Sequence, residues 1–189
     1  MRNFVLAAAL SVATGAMAQE AVDGPGPNLV LTMGGQVSGK VVIDLFPDVA
    51  PQHVARIEQL VNEHAYDDVV FHRVIGGFMA QTGDVQFGKR EGDTSMAGMG
   101  GSKYPDLPAE FSDKPFVRGT VGMARSANPN SANSQFFIMF GSAPHLDGQY
   151  TVIGQVIDGM DVVDKIKKGN PSANGLVSEP DYIAAASME

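Results

Sequence analysis

Arg73 stands in the run Phe71-His72-Arg73-Val74-Ile75-Gly76-Gly77-Phe78-Met79-Ala80-Gln81-Thr82-Gly83-Asp84, a guanidinium among apolar side chains on what reads as a strand and a glycine-rich turn. A guanidinium stays protonated at any working pH and presents its N–H groups in a fixed fork, so it acts as a donor and not as an acid or base. Gln81 adds an amide that can donate and accept together. A fixed donor in apolar surroundings suits a ligand that joins an apolar ring to a polar amide. Other chemistries fail on composition or spacing. The chain has no Cys, which removes thiolate nucleophiles, zinc–thiolate sites, disulfides and a lipid-anchor cysteine. Gly98 to Ser102 lacks the G-K-[ST] ending of a phosphate loop, no G-x-S-x-G elbow is present, and His53 and His64 lack the H-E-x-x-H spacing of a metal site. No metal and no cofactor is expected.

The same run resembles the signature of the cyclophilin family of peptidyl-prolyl cis-trans isomerases: Phe-His-Arg, two aliphatic residues, Pro-Gly-Phe-Met, one variable residue, Gln-Gly-Gly-Asp. Gly76 stands where the family usually has proline, and Thr82 where it usually has glycine. A second block, Gly119 to Ile138, ends Ser134-Gln135-Phe136-Phe137-Ile138 and resembles the family's other core motif. A third, Leu146-Asp147-Gly148 with Val152-Ile153-Gly154-Gln155-Val156, continues the match, which runs over about residues 28 to 187.

The resemblance implies rotation about X-Pro bonds without cofactor or covalent intermediate, with Arg73 and Gln81 as catalytic residues. It assigns Phe78, Met79, Phe137 and Leu146 to a prolyl pocket, and Gln135 to orienting Arg73 and the substrate carbonyl. Ala124 and Arg125 fall on the strand edge that pairs with the substrate backbone, although the family commonly has asparagine at Arg125. Gly98, with Gly100 and Gly101, resembles the rim of a neighbouring pocket. His145 stands where well-known members carry tryptophan, and Tyr150 where they carry histidine. Those two exchanges bear on ligand affinity, and weak binding of the family's macrocyclic inhibitor cyclosporin is expected. The implied partners are proline-containing polypeptides and unfolded exported proteins. The competing reading is a chaperone or scaffold module that captures proline-containing segments with little turnover.

Composition narrows the setting. A formal charge of −8 disfavours nucleic acid. Arg2, the apolar run Phe4 to Val12 and Ala16-Met17-Ala18 form a cleavable export signal over residues 1–18, too short to span a bilayer. The expected organisation is thus a signal peptide, a flexible mature N-terminus over 19–27 and one domain over 28–189, located in the periplasm without membrane insertion and monomeric by default.

The elements that must position these residues follow from periodicity. Alternation from Asn28, a turn at Gly34-Gly35 and a second run from Lys40 to Phe46 predict a hairpin. Pro51 suits a first helical turn, and Val54, Ile57, Leu60 and Val61 share one face of a helix running to about His64. Strands are predicted at Val69 to Ile75, Val117 to Ala124, Gln135 to Phe140, Thr151 to Val156 and Tyr182 to Ala186, with a long surface loop from Gly83 to Arg118. A second helix is predicted from about Met160 to Lys168, with Asp161–Lys165 and Asp164–Lys168 pairs and Gly169 ending it. Spacing alone supports a mainly antiparallel β domain with two helices; the resemblance adds a closed eight-stranded antiparallel β-barrel capped by those helices. Export is checked by intact-mass analysis of protein recovered from an expressing bacterium. The expected chain starts at Gln19, and a stable full-length cytoplasmic product would refute the signal.

Overall fold

The computed structural model describes residues 22–189. The predicted export signal and its expected cleavage point lie outside the described residues. From Asp23 to Pro27 the chain runs beside the first strands: Gly24 N–H donates to Asp44 Oδ2 at 3.1 Å and Pro27 O accepts from Leu45 N–H at 3.1 Å.

Nine strands form one antiparallel sheet: β1 (Asn28–Gly34), β2 (Gly39–Leu45), β3 (Val69–Val70), β4 (Arg73–Ile75), β5 (Met79–Thr82), β6 (Thr120–Met123), β7 (Phe136–Met139), β8 (Val152–Asp158) and β9 (Tyr182–Met188). Their order is β3-β9-β1-β2-β8-β6-β7-β5-β4. The fold is mainly β with few helices, as expected, but the closed eight-stranded barrel is not what forms. The sheet is a curled half-barrel whose terminal strands, β3 and β4, do not pair.

Two local events explain the difference. The predicted strand Val69 to Ile75 breaks at Phe71-His72, where Phe71 N–H donates to Asp181 O (2.8 Å) and His72 O accepts from Val177 N–H (3.1 Å). Those groups are thus satisfied by the 177–181 segment instead of a neighbouring strand. Met79–Thr82, read in the sequence as the end of a turn, is a strand in its own right. The turn before it is closed by Phe78 N–H donating to Ile75 O at 3.0 Å, and Gly77 sits at φ +76°, a conformation that favours glycine. Although β3 and β4 do not pair, the ends of the sheet stay in touch. Thr82, fully buried where the resembling family has glycine, donates its hydroxyl to Val70 O at 3.0 Å.

Helix α1 (Pro51–Asn62) has Pro51 in its first turn and buries Val54, Ile57, Leu60 and Val61, as the periodicity predicts. Helix α2 (Met160–Lys165) is shorter than predicted. It ends at Ile166, not at Gly169, because Lys167 N–H is taken by Asp181 Oδ2 at 2.8 Å and Gly169 N–H by Val74 O at 2.8 Å. Asp161–Lys165 forms at 2.9 Å, whereas Asp164 pairs with Arg118 at 2.6 Å in place of Lys168. The Gly83 to Arg118 stretch carries one short 3-10 turn, Thr94–Met96, and isolated bridges from Lys89 to Val69 and Leu107 to Ala132, and the stretch buries Asp84, Leu107 and Phe116.

Alternation along β4, β5 and β7 divides the side chains between two apolar clusters. Val74, Ala80, Phe136 and Ile138 enter the main core with Leu31, Ile43, Ile57, Tyr66 and Phe71. Met79, Phe137 and Met139 turn the other way and join Phe116, Ala143, Leu146 and Val152 in a second cluster, with Phe78, Ala124 and Tyr150 packed against it.

Candidate functional site

The second cluster is the floor of a depression. In register across three neighbouring strands stand Arg73 (β4), Gln81 (β5) and Phe137 (β7), and Phe137 pairs in turn with Gly122 (β6). The stacked rings of Phe137 and Phe116, 5.7 Å apart, occupy the space above Gly122. A Cβ there would come within 2.6 Å of Phe116 and 2.7 Å of Phe137. Tyr150 closes the far wall, edge-on to Phe137 at 5.9 Å.

The resulting cavity, about 330 Å³, is lined by Arg73, Phe78, Met79, Gln81, Ala124, Arg125, Phe137, His145, Leu146 and Tyr150. Ten sequence-predicted residues therefore converge on one apolar hollow with a polar side. His145 is exposed at its rim, stacked on Phe78 with centroids 5.8 Å apart. Gln135 and Gly98 do not line it. They face an adjoining cavity of about 740 Å³ that shares Gln81, Ala124 and Arg125 with the first. Ala124 N–H already donates to Gln135 O at 2.9 Å, so that group is not open to a substrate strand.

Arg73 is half-buried, and every acceptor it meets among the described residues is neutral. Nη1 donates to Gln81 Oε1 at 3.2 Å and lies 3.9 Å from Met79 Sδ. Gln81 Nε2 continues to Gln135 Oε1 at 3.0 Å, and Gln135 Nε2 to Gly100 O at 2.7 Å, so Gln135 relays orientation from the long loop to Arg73. That loop is fixed by Asp84, whose buried carboxylate accepts from the N–H groups of Gln86, Phe87, Gly98 and Gly100. Partial burial lowers the Arg73 pKa, opposed by Tyr150, but a guanidinium remains a cation near neutrality.

Asn174 is the site residue that the sequence did not disclose. Its backbone O accepts from Arg73 Nε and its side-chain Oδ1 from Arg73 Nη2, both at 3.0 Å. Asn174 has φ +53° and precedes Gly175, whose carbonyl accepts from Val74 N–H at 2.8 Å. An Asn-Gly pair is a turn signal that was open to reading; its contact with a strand 101 positions away was not.

His72 lies in the break between β3 and β4, does not line the cavity and is buried. Among the described residues no cluster of three or more His, Cys, Asp or Glu is placed to hold a metal ion.

An apolar hollow with a fixed, non-titrating donor on one wall suits a ligand that joins a ring to an amide. The sequence profile described as cyclophilin type peptidyl-prolyl cis-trans isomerase/CLD matches residues 29–188, and the chain belongs to that family. It is 57% identical over 192 residues to a "probable peptidyl-prolyl cis-trans isomerase" of Brucella suis, covering 100% of this chain and 96% of that protein. It is also 44% identical over 132 residues to peptidyl-prolyl cis-trans isomerase-like 3 of Gallus gallus, covering 69% of this chain and 77% of the relative. Among solved structures it is similar to cyclophilin AquaCyp293 of Hirschia baltica, with TM-score 0.71 and 25% identity over 88% of this chain and 75% of that one.

Burial, reinforced by the neighbouring Arg73 charge and opposed by Asp84, pulls the His72 pKa from 6.5 down to about 4. The unfolded chain therefore takes up this proton first. The neutral ring's contribution is complete above pH 6.5 and is lost as pH falls from 6.5 through about 4. By pH 4.5 the loss should reach about 2 to 3 kcal/mol. Denaturant unfolding at pH 7 and 4.5 checks this: wild type should lose that much more stability than His72→Gln, and equal losses would refute the assignment.

Proposed function

We propose that the protein accelerates rotation about X-Pro bonds by binding the twisted amide better than the planar one. The observation that carries this reading is Arg73, held by neutral acceptors at the edge of a cavity of about 330 Å³ whose floor is Met79, Phe137 and Leu146. Rotation is slow because amide resonance must be broken, at a cost of about 18 to 20 kcal/mol. As the bond twists, the prolyl nitrogen pyramidalises and gains a lone pair. A donor beside that nitrogen stabilises the twisted state selectively. Phe137, Met79, Leu146 and Phe78 hold the ring, and Gln81 with Gln135 orients the fork. No proton is transferred, so His145 and Tyr150 serve as walls, and the step requires no metal or cofactor.

The finer parts of the reading rest on the sequence. The pattern over residues 1–18 supports action in the periplasm on unfolded exported proteins, by a monomer. Cyclosporin binds weakly in this reading, because an indole would offer more apolar area and an N–H donor where His145 stands.

Arg73→Ala should fold normally yet lose isomerase rate. A hydrogen bond from a charged donor is worth about 1.5 to 3 kcal/mol, which corresponds to roughly 10- to 150-fold in kcat/KM. Proline-isomer exchange on a short X-Pro peptide measures it, with melting temperature as the control for folding; unchanged kcat/KM would refute the role of Arg73. For cyclosporin, calorimetric titration should give wild type a Kd roughly ten- to a hundred-fold weaker than His145→Trp. Equal affinities would remove position 145 from the account.

A further inference from the structure

We infer that Arg125 selects substrates with an acidic side chain within two residues on the amino-terminal side of the proline. The inference rests on the isomerase reading. Arg125 lines both cavities, on the saddle between them, together with Ala124 and Gln81. A ring seated in the smaller cavity therefore brings its neighbouring residues past this side chain.

The guanidinium is fixed by the protein without being neutralised. Nη1 donates to Ser126 O at 2.9 Å and Nη2 to Gln149 O at 2.7 Å, while the guanidinium carbon lies 4.2 Å from the centroid of the Tyr150 ring. Both acceptors are neutral carbonyls, Nε is buried with no partner, and no ion pair to Arg125 occurs among the described residues.

Arg73, across the smaller cavity, is likewise bonded only to neutral acceptors, and no carboxylate lines that cavity. The larger cavity has one, Asp106, whose Oδ1 accepts from Asn133 Nδ2 at 2.9 Å. In a chain of formal charge −8, Arg125 on the saddle and Arg73 in the smaller cavity are thus two cations without a carboxylate partner among the described residues. A passing carboxylate gains Coulomb energy there and an ammonium loses it. Because Arg125 is already ordered by Tyr150 and two carbonyls, the carboxylate meets a fork whose rotamer entropy is already spent.

The test uses the mature chain and two peptide series, acetyl-Ala-Xaa-Ala-Pro-Phe-amide and acetyl-Ala-Ala-Xaa-Pro-Phe-amide, with Xaa as Glu, Gln or Lys. The kcat/KM from proline-isomer exchange should rank Glu above Gln above Lys in one series or both, with a Glu-to-Lys ratio of roughly five- to twenty-fold at low salt. The ratio should fall towards one in Arg125→Gln. It should also shrink in wild type at about 0.5 M salt, where the Debye length is only about 4 Å. A wild-type ratio of one or less in both series, or a ratio retained in Arg125→Gln, overturns the inference and leaves the isomerase reading standing. Failure to accelerate any peptide, including the Gln forms, overturns that reading and this inference with it.

Discussion

Arg73 is a half-buried cation held by neutral acceptors alone among the described residues, and the structure around it is organised by that constraint. An ion pair would hold the fork more firmly, but it would also cancel the charge that faces the cavity. The protein uses neutral oxygens instead: Gln81 Oε1 on one side, and Asn174 O with Asn174 Oδ1 on the other. Each acceptor is itself fixed. Gln81 is held through Gln135 and Gly100 to the long loop, and that loop hangs on the Asp84 carboxylate. A neutral clamp is weaker per bond than an ionic one, so it needs this depth of support.

Apolar packing supplies the other half of the site. The strands that carry Arg73, Gln81 and Phe137 present their alternate residues, Val74, Ala80 and Phe136, to the main core. The pocket floor is therefore as rigid as the core beneath it. Gly122 completes the arrangement by omission, since any side chain there would meet both Phe116 and Phe137. Phe116 is reached from the long loop, whereas Phe137 is reached from β7, so the aromatic stack joins a loop to a strand at the floor of the cavity.

Periodicity made the hairpin of β1 and β2, helix α1 and strands β6 to β9 legible, because each has an apolar face set by its own residues. It could not reveal the break at Phe71-His72, whose cause is the 177–181 backbone, or the early end of α2, whose cause is Asp181. Met79–Thr82 was obscured by the Gly76-Gly77 turn directly before it. In the site, side chains carried by long motifs could be named in advance. Asn174 could not be, since half of its contribution is a main-chain oxygen, which has no signature in composition.

The distance along the chain between Arg73 and Asn174 has a consequence for synthesis. Every residue of the ring pocket lies before position 151, yet the Asn174 side of the clamp arrives with the final part of the chain. Strand β9, the last element made, pairs with both β1 and β3 and so covers the open edge of the first hairpin. A ribosome-bound chain that has released its first 150 residues thus carries a complete set of pocket residues with the guanidinium held from one side only. The carboxyl-terminal segment thus brings first the second side of the Arg73 clamp and then the strand that covers the first hairpin.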